Sequence, residues 1–514
     1  GGVGAVRGGG VGGGGRRAEV GGEGGLVVPL GRNWRGCGAA PWGWPRLRPP
    51  RPAGPPADWG QGGCGRCRRG GRLTGRLITM ARDFWARPMA DIPEACQSVS
   101  KMQAAYRFLA HDDVEFETLL QPHYAATEQR ISELGEGSVV LVPQDTTSVN
   151  YSALTSTDGL GPIGSTVDGA QGLHLHSSLA MTVQGVPLGF VDAQCWARDP
   201  QEFGKKAKRH ALSIEDKESW RWIKSYQAVA AVQKRNPQLQ LVSMGDREAD
   251  IYELFEEALR EPQGPKLLVR AMHDRKVQDE QQRLFETIRT KPIAGYQPVQ
   301  LPRQKNRPAR VAKLAIRFAA VTLCPPKSKP RQGSVEGRRG RGREEAAAGG
   351  AEPCEWGLRT TRAVDGCGQA CGKVAWDTQR WGMEVCHRTL EGGCRVEDRQ
   401  LGHGERRQAC LAIDMVIAWR IHHMTKLGRE VPDLPAEVYF DRDECQVLIA
   451  YETKNRKRPP DAPAPSLREA IRMVAKLGGF LGRKSDGEPG TETLWRGLLR
   501  LDGMTEGWRL ASGP

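Results

Sequence analysis

The chain has 514 residues, room for about three or four domains, and its 39% hydrophobic content supports a packed core. A formal charge of +15 and a pI near 9.3 point to a polyanionic partner, nucleic acid being the simplest. No apolar run approaches the ~18 residues needed to span a bilayer. Thirteen irregularly spaced cysteines exclude a small secreted disulfide framework, so reduced thiols in the cytoplasm are expected.

Residues 1–70 are Gly, Arg and Pro with scattered Trp and no hydrophobic period, a composition expected to be disordered. Met80 is the first methionine, so this head is not expected in the natural translation product. Cys64-x-x-Cys67 inside it has no second pair at finger spacing and reads as chance rather than zinc. From about Arg72 apolar residues recur at helical intervals (Leu73, Leu77, Met80, Phe84; then Met102, Ala105, Tyr106, Leu109), predicting a small helical domain to about residue 130. VVLVPQD, LHLHSSLAMTV and VPLGFVDAQCW then read as strands, followed by a helix around 216–235. LVSMGDREADIYELF, residues 241–255, reads as a strand running straight into an amphipathic helix (Ile251, Leu254, Phe255, Leu259). Strand patterns resume at LLVRAMHD and in PVQLPRQKNRPARVAKLAIRFAAVTL, PPKSKPRQGSVEGRRGRGREEAAAGG reads as loop, and helical spacing returns over 366–427 and in LREAIRMVAKLGGFLGR. Mixed strands and helices predict an α/β core.

Three acids stand out. Asp145 and Asp246 each follow an apolar strand, and Glu384 lies on a helix whose one face holds Asp377, Arg380, Glu384, Arg388 and Glu391, with Val374, Trp381 and Val385 on an adjoining docking stripe. Each acid has an ordinary structural reading: Asp246 as a helix N-cap, Asp145 as a turn residue, Glu384 as an exposed helix charge. Together they have a chemical use, because carboxylates are hard ligands for Mg²⁺ or Mn²⁺. Paired ions of that kind activate an attacking oxygen and stabilise a leaving one in phosphodiester displacement. His174 and His176 share one strand face; polar residues at the core edge are the commoner reading, a metal role the other. Cys367, Cys371, Cys386, His387 and Cys394 have no recognised metal spacing, and KNRKR at 454–458 reads as a solvated linker.

At these residues the sequence resembles the DDE transposases of the insertion-sequence-four group, and within it the transposon-five type, in order over roughly 71–514. PQDTTSVNY and GDREADI resemble the two aspartate motifs, WDTQRWGMEV the Tyr–Arg–Glu–Lys signature helix, and QKNRPARVAKL, DECQVLIAYETKNRKR and LGGFLGR the insertion and C-terminal segments. The resemblance implies an α/β, RNase H-like catalytic core over 131–427 with a β-rich insertion at about 270–365. It further implies a helical DNA-binding domain at 71–130 and a helical dimerisation domain at 428–514. Asp145, Asp246 and Glu384 would be catalytic and would ligate Mg²⁺ or Mn²⁺. Arg380, Arg388, Trp356, Arg270, Lys305, Arg307 and Arg310 would bind DNA, Trp356 beside a flipped base. The implied activity is cut-and-paste transposition through a hairpin intermediate. The implied partners are transposon ends, target DNA and a second copy of the chain in the synapsed dimer, and the implied place is the bacterial cytoplasm and its nucleoid.

Two residues depart from the family pattern. Asp377 stands at the signature tyrosine and Glu391 at the signature lysine, putting negative charge where the family contacts phosphate. VEGRRGRGREEAAAGG also occupies the place of an apolar strand. A decayed or error-rich copy is one reading of these changes. A catalytically impaired, transposase-derived DNA-binding protein is the alternative function, and a nuclease without strand transfer is a third.

Overall fold

The helical spacing after residue 70 is realised in the computed structural model as four helices: α1 (Gly71–Ala86), α2 (Ile92–Cys96), α3 (Val99–Leu109) and α4 (Phe116–Ser132). Residues described are 71–154, 156–164, 169–201, 203, 212–278, 280–301, 309–326, 335–344 (backbone), 355–453, 464–483 and 486–512. The head at 1–70 with its Cys64–Cys67 pair, Lys305, Arg307 and the 454–458 linker lie outside them. Asp91 caps α2 by accepting the Glu94 N–H at 2.8 Å, and Leu77, Met80, Phe84, Ala105 and Phe108 close the apolar faces against one another.

One mixed sheet follows. Its strands are β1 (Val139–Asn150), β2 (Gly161–Pro162), β3 (Gln171–Thr182), β4 (Pro187–Trp196), β5 (Gln240–Gly245), β6 (Lys266–Arg270), β7 (Gly295–Leu301), β8 (Arg310–Leu323), β9 (Val335–Glu344) and β10 (Glu355–Thr360). The order is β2-β3-β1-β5-β6-β10-β9-β8-β7, with β4 on the other edge of β3. β3 is antiparallel to β1 and β4, whereas β1, β5 and β6 are parallel. Parallel neighbours need a crossover, and α5 (Trp220–Arg235) and α6 (Tyr252–Arg260) supply it. Val140, Leu141, Val142, Leu241 and Val242 are fully buried, as strands covered on both faces require.

Three expectations need correction. The Gly/Arg tract read as loop contains β9, which pairs with β8 on one side and β10 on the other. Composition disfavours a strand there, yet two flanking strands satisfy its backbone donors and acceptors, and that pairing wins. Gly342 fits its place closely, since a Cβ there would come within 3.1 Å of the Leu314 side chain and 3.2 Å of Ile316. Second, β5 does not run straight into a helix: a 3₁₀ turn (Arg247–Ala249), Asp250 and Ile251 intervene before α6, and Leu259 is exposed. Third, Asp145 sits within β1 rather than at its end, because β3 continues to pair with that strand as far as Asn150.

Past a short helix α7 (Leu284–Arg289), the hairpin strands and β10, the chain enters α8 (Cys367–Gln379) and α9 (Trp381–Arg388), with Arg380 keeping helical dihedrals between them. A π-helical turn (Thr389–Gly393) leads towards α10 (Gly404–Glu430). Ala409 to Trp419 of α10 are all buried, and the one acid among them, Asp414, is paired with Arg399 at 2.8 Å. Three further helices follow, α11 (Arg442–Thr453), α12 (Leu467–Leu477) and α13 (Thr491–Ser512); α12 and α13 pack on α10, and α11 packs on those two. Ser466 and Glu469 form a capping box at the start of α12. No described helix is long and apolar enough to cross a membrane.

Candidate active site

Parallel pairing of β1 with β5 runs from Val139 opposite Gln240 to Pro143 opposite Met244, and Gln144 donates to Ser243 Oγ at 2.7 Å just beyond. Continuing that register two residues sets Asp145 beside Asp246, at the point where β5 ends. Asp246 does act as an N-cap, its Oδ1 accepting the Glu248 N–H at 2.8 Å. Asp145 Oδ1 accepts the Thr146 N–H at 3.0 Å.

α9 is fastened over the same region. Ser177, the β3 partner of Asp145, bonds its Oγ to His387 Nε2 at 3.1 Å, and Thr147 Oγ1 donates to Glu391 at 2.6 Å. Burial pushes His387 down to about 4, so the imidazole is neutral. The docking stripe is Met383, Cys386, His387 and Leu390; Trp381 and Val385, assigned to it from spacing, are only half-buried. Glu384 and Arg388 point outward, and Glu384 pairs with Arg380 at 3.1 Å.

The acids act on one another. Burial first, then the Asp246 and Glu384 carboxylates, push Asp145 up to about 6, against the pull of Arg380 and the Thr146 N–H. Burial is the larger cause, and the repulsion between the carboxylates is one that a divalent cation would relieve. The donor set thus fits a hard ion in chemistry. Among the described residues, however, no three His, Cys, Asp or Glu side chains stand together as a ready-made metal group. Arg380, its Nε buried without a hydrogen-bond partner, supplies the positive charge beside them.

Asp377 departs from its sequence reading. It is not at the surface: its side chain is 2% exposed and is gripped by Arg270, with Nη2 2.7 Å and Nε 2.9 Å from Oδ2. Trp356 completes this cluster, with the Arg270 guanidinium 5.6 Å from its ring and Trp381 edge-on at 6.5 Å. Arg270, Trp356, Arg380 and Glu384 are therefore grouped round the α8–α9 junction, whereas Arg310 opens β8 opposite Leu301 in the hairpin strands. Glu391 is half-buried, and burial raises its carboxyl above the usual range, with Thr147 opposing and Glu397 adding to the rise.

The histidines take the structural reading. His176 bonds Thr146 Oγ1 at 2.8 Å and Gln144 at 3.3 Å, His174 bonds Ser148 Oγ at 2.9 Å, and burial lowers both, His174 to about 4. The cysteine cluster separates: Cys367 and Cys371 lie 3.7 Å apart on the first turn of α8, while Cys386 and Cys394 are buried thiols. Spacing alone missed two groups. Arg221 joins the two aspartate segments, Nε donating to Thr146 Oγ1 at 3.0 Å and Nη2 to Glu248 at 2.8 Å. Its one sequence signal is its place between Trp220 and Trp222 at the start of α5. Asp250 is buried among Arg359, Arg275 and the Met272 and His273 N–H groups, which outweigh burial and hold it below the usual carboxylate range.

Two stretches match known domains. Residues 71–114 match the transposase DNA-binding domain, and residues 416–513 match the Tn5 transposase dimerisation domain. These two matches support a Tn5-like transposase. Its DNA-binding match falls on α1–α3 and its dimerisation match on the end of α10 and on α11–α13. Among solved structures, the synaptic complex of piggyBac transposase with hairpin DNA is similar at 10% identity, covering 76% of this chain and 81% of that one, with a TM-score of 0.30. So loose a superposition carries no argument about the site.

Proposed function

We propose that this Tn5-like transposase performs cut-and-paste transposition, with an RNase H-like core over 131–427, an insertion at about 270–365, and Asp145, Asp246 and Glu384 as its acidic triad. The observation that carries the reading is the parallel β1–β5 register, which ends at Pro143 opposite Met244 and, continued two residues, brings Asp145 to Asp246, with Asp246 and Glu384 both acting on Asp145. The strand order β4-β3-β1-β5-β6, antiparallel then parallel, supports the RNase H-like assignment. Asp145, Asp246 and Glu384 would hold Mg²⁺ or Mn²⁺, Glu384 leaving Arg380 to do so. Ions held this way activate the attacking oxygen and stabilise the leaving one in phosphodiester transfer. Arg380 and Arg388 would neutralise backbone phosphate, and Trp356 would offer a ring face to an unstacked base. Residues 71–130 would recognise the transposon ends and 428–514 would pair two copies across them, in the bacterial cytoplasm at the nucleoid.

A second reading is a DNA-binding derivative that no longer cuts, favoured by the Arg380–Glu384 ion pair and by the lack of a ready-made metal group among the described residues. Cleavage of DNA taken from the two flanks of the gene, assayed in Mn²⁺, separates the two. The transposase reading expects parent activity that falls roughly a thousandfold in Asp145→Ala, Asp246→Ala and Glu384→Ala, the rate equivalent of several kcal/mol. End binding without cleavage by the parent establishes the second reading instead.

A further inference from the structure

Trp376 on α8 carries two cations against its ring: Lys373 Nζ lies 3.8 Å from the centroid and the Arg362 guanidinium 5.5 Å. Lys373 is 6% exposed. Arg362 follows the end of β10, where Thr361 N–H donates to the Leu267 carbonyl at 3.2 Å and Leu267 N–H donates to Thr361 Oγ1 at 2.9 Å. That pair of bonds sets Arg362 beside Lys266, the first residue of β6. Arg362 Nη1 is buried with no hydrogen-bond partner, and Lys266 Nζ reaches the Pro262 carbonyl at 2.6 Å. Among the described residues no carboxylate pairs with any of the three. Burial first and then Arg362 lower both lysines, Lys373 to about 8, with no acid opposing the fall.

Partly buried positive charge without a counter-charge costs free energy unless a ligand supplies it. We infer that Arg362 and Lys373, which share the Trp376 ring, form a phosphate-binding site with Lys266 beside Arg362. A guanidinium with a free nitrogen and an adjacent ammonium suit the several oxygens of a phosphate group. The site is separate from the acids. β5 and β6 are parallel, Asp246 follows the end of β5 and Lys266 begins β6, so the two lie at opposite ends of the sheet, about 13 Å apart along the strand. The cavity under Lys373, of about 10 Å³ and lined by Ile316, Leu358 and Val374, has room for about one water, so the anion sits outside it at the charged heads. The phosphate is a phosphodiester of bound DNA or free inorganic phosphate.

The test is thermal unfolding of the full chain against inorganic phosphate at constant ionic strength, beside binding of duplex DNA against salt. It uses no transposon end and no cleavage, so its failure is separate from failure of the function proposed above. The parent midpoint is expected to rise on the order of 2 °C at tenfold saturation. Arg362→Gln and Lys373→Met lose the rise, while Arg289→Gln, an exposed pair partner of Glu286, keeps it. Without phosphate, Lys373→Met unfolds at a higher temperature than the parent, because an uncompensated charge has been removed. If DNA is the source, Arg362→Gln also reduces the salt slope of duplex binding by about 1; if free phosphate is the source, that slope is unchanged while the thermal response is lost. The inference is overturned if neither the phosphate response nor the salt slope distinguishes these variants from the parent.

Discussion

Arg270 and Asp377 are joined by a buried, two-pronged ion pair, one from the last residue of β6 and the other from the last full turn of α8. From sequence the acid reads as a repulsive group at a phosphate contact. In the fold it answers a buried guanidinium, so its main effect is to hold Arg270 away from other anions.

The pair decides what Asp377→Tyr should do to stability. Asp377→Tyr leaves Arg270 without its partner, and breaking a buried pair costs about 3 kcal/mol. Freed, Arg270 can meet a phosphate instead. The expected outcome is a lower unfolding midpoint together with tighter DNA binding and a steeper salt dependence. Denaturant unfolding and a salt series on one variant check both halves; tighter binding with undiminished stability contradicts the role given to the pair.

Asp145 makes stability depend on pH in a definite direction. Its folded pKa, about 6, is above the ordinary 3.8, so folding disfavours its ionised form. The cost is fully present above pH 6 and disappears as pH falls towards 4. That difference corresponds to on the order of 2–3 kcal/mol. Asp145→Asn is therefore expected to be more stable than the parent at pH 8, with the difference shrinking to nothing near pH 4. Denaturation midpoints of parent and variant across that range measure it.

What could be read beforehand follows what is local. Hydrophobic period located the helices of 71–132 and the apolar strands β1, β3 and β5, because one buried face is written into adjacent residues. Asp145 and Asp246 were visible as acids after apolar runs. That they become neighbours depends on β1 pairing in parallel with a strand a hundred residues away, which no local pattern records. β9 was invisible for the same reason: its Gly and Arg become a strand only because β8 and β10 flank it. The fate of Asp377 hinged on Arg270, 107 residues earlier.

Two glycines on one helix, α13, predict opposite outcomes from the same substitution. A Cβ on Gly497 of α13 would fall 2.0 Å from the Val474 carbonyl of α12, so Gly497→Ala forces the helices apart. Overpacking of this kind costs about 1–3 kcal/mol. A Cβ on Gly503, two turns along the same helix, meets nothing within 4 Å. Gly503→Ala should instead stabilise by about 1 kcal/mol through helix propensity. Unfolding of both variants in parallel tests the packing of the region matched to the dimerisation domain.

Arg221 bridges the segments just after the two aspartates. Thr146 follows Asp145, Glu248 lies in the turn after Asp246, and Arg221 bonds both side chains while its guanidinium stacks near Trp196 and Trp222. Gln144 and Ser243 tie the same two strands just before the aspartates, and Arg221 adds a second tie just beyond them. Lysine can satisfy one partner but has no second planar arm for the other. Groups that orient metal-holding side chains change metal affinity by about 10–100-fold when removed. Under the proposed function, Arg221→Lys should raise the half-saturating Mn²⁺ concentration for end cleavage by about that factor, and extra metal should restore the maximal rate. Arg221→Met should raise it further, with an unfolding midpoint close to the parent's because Glu248 is exposed and Thr146 keeps its bond to His176. A lower maximal rate with an unchanged Mn²⁺ requirement would place Arg221 on the DNA rather than behind the acids.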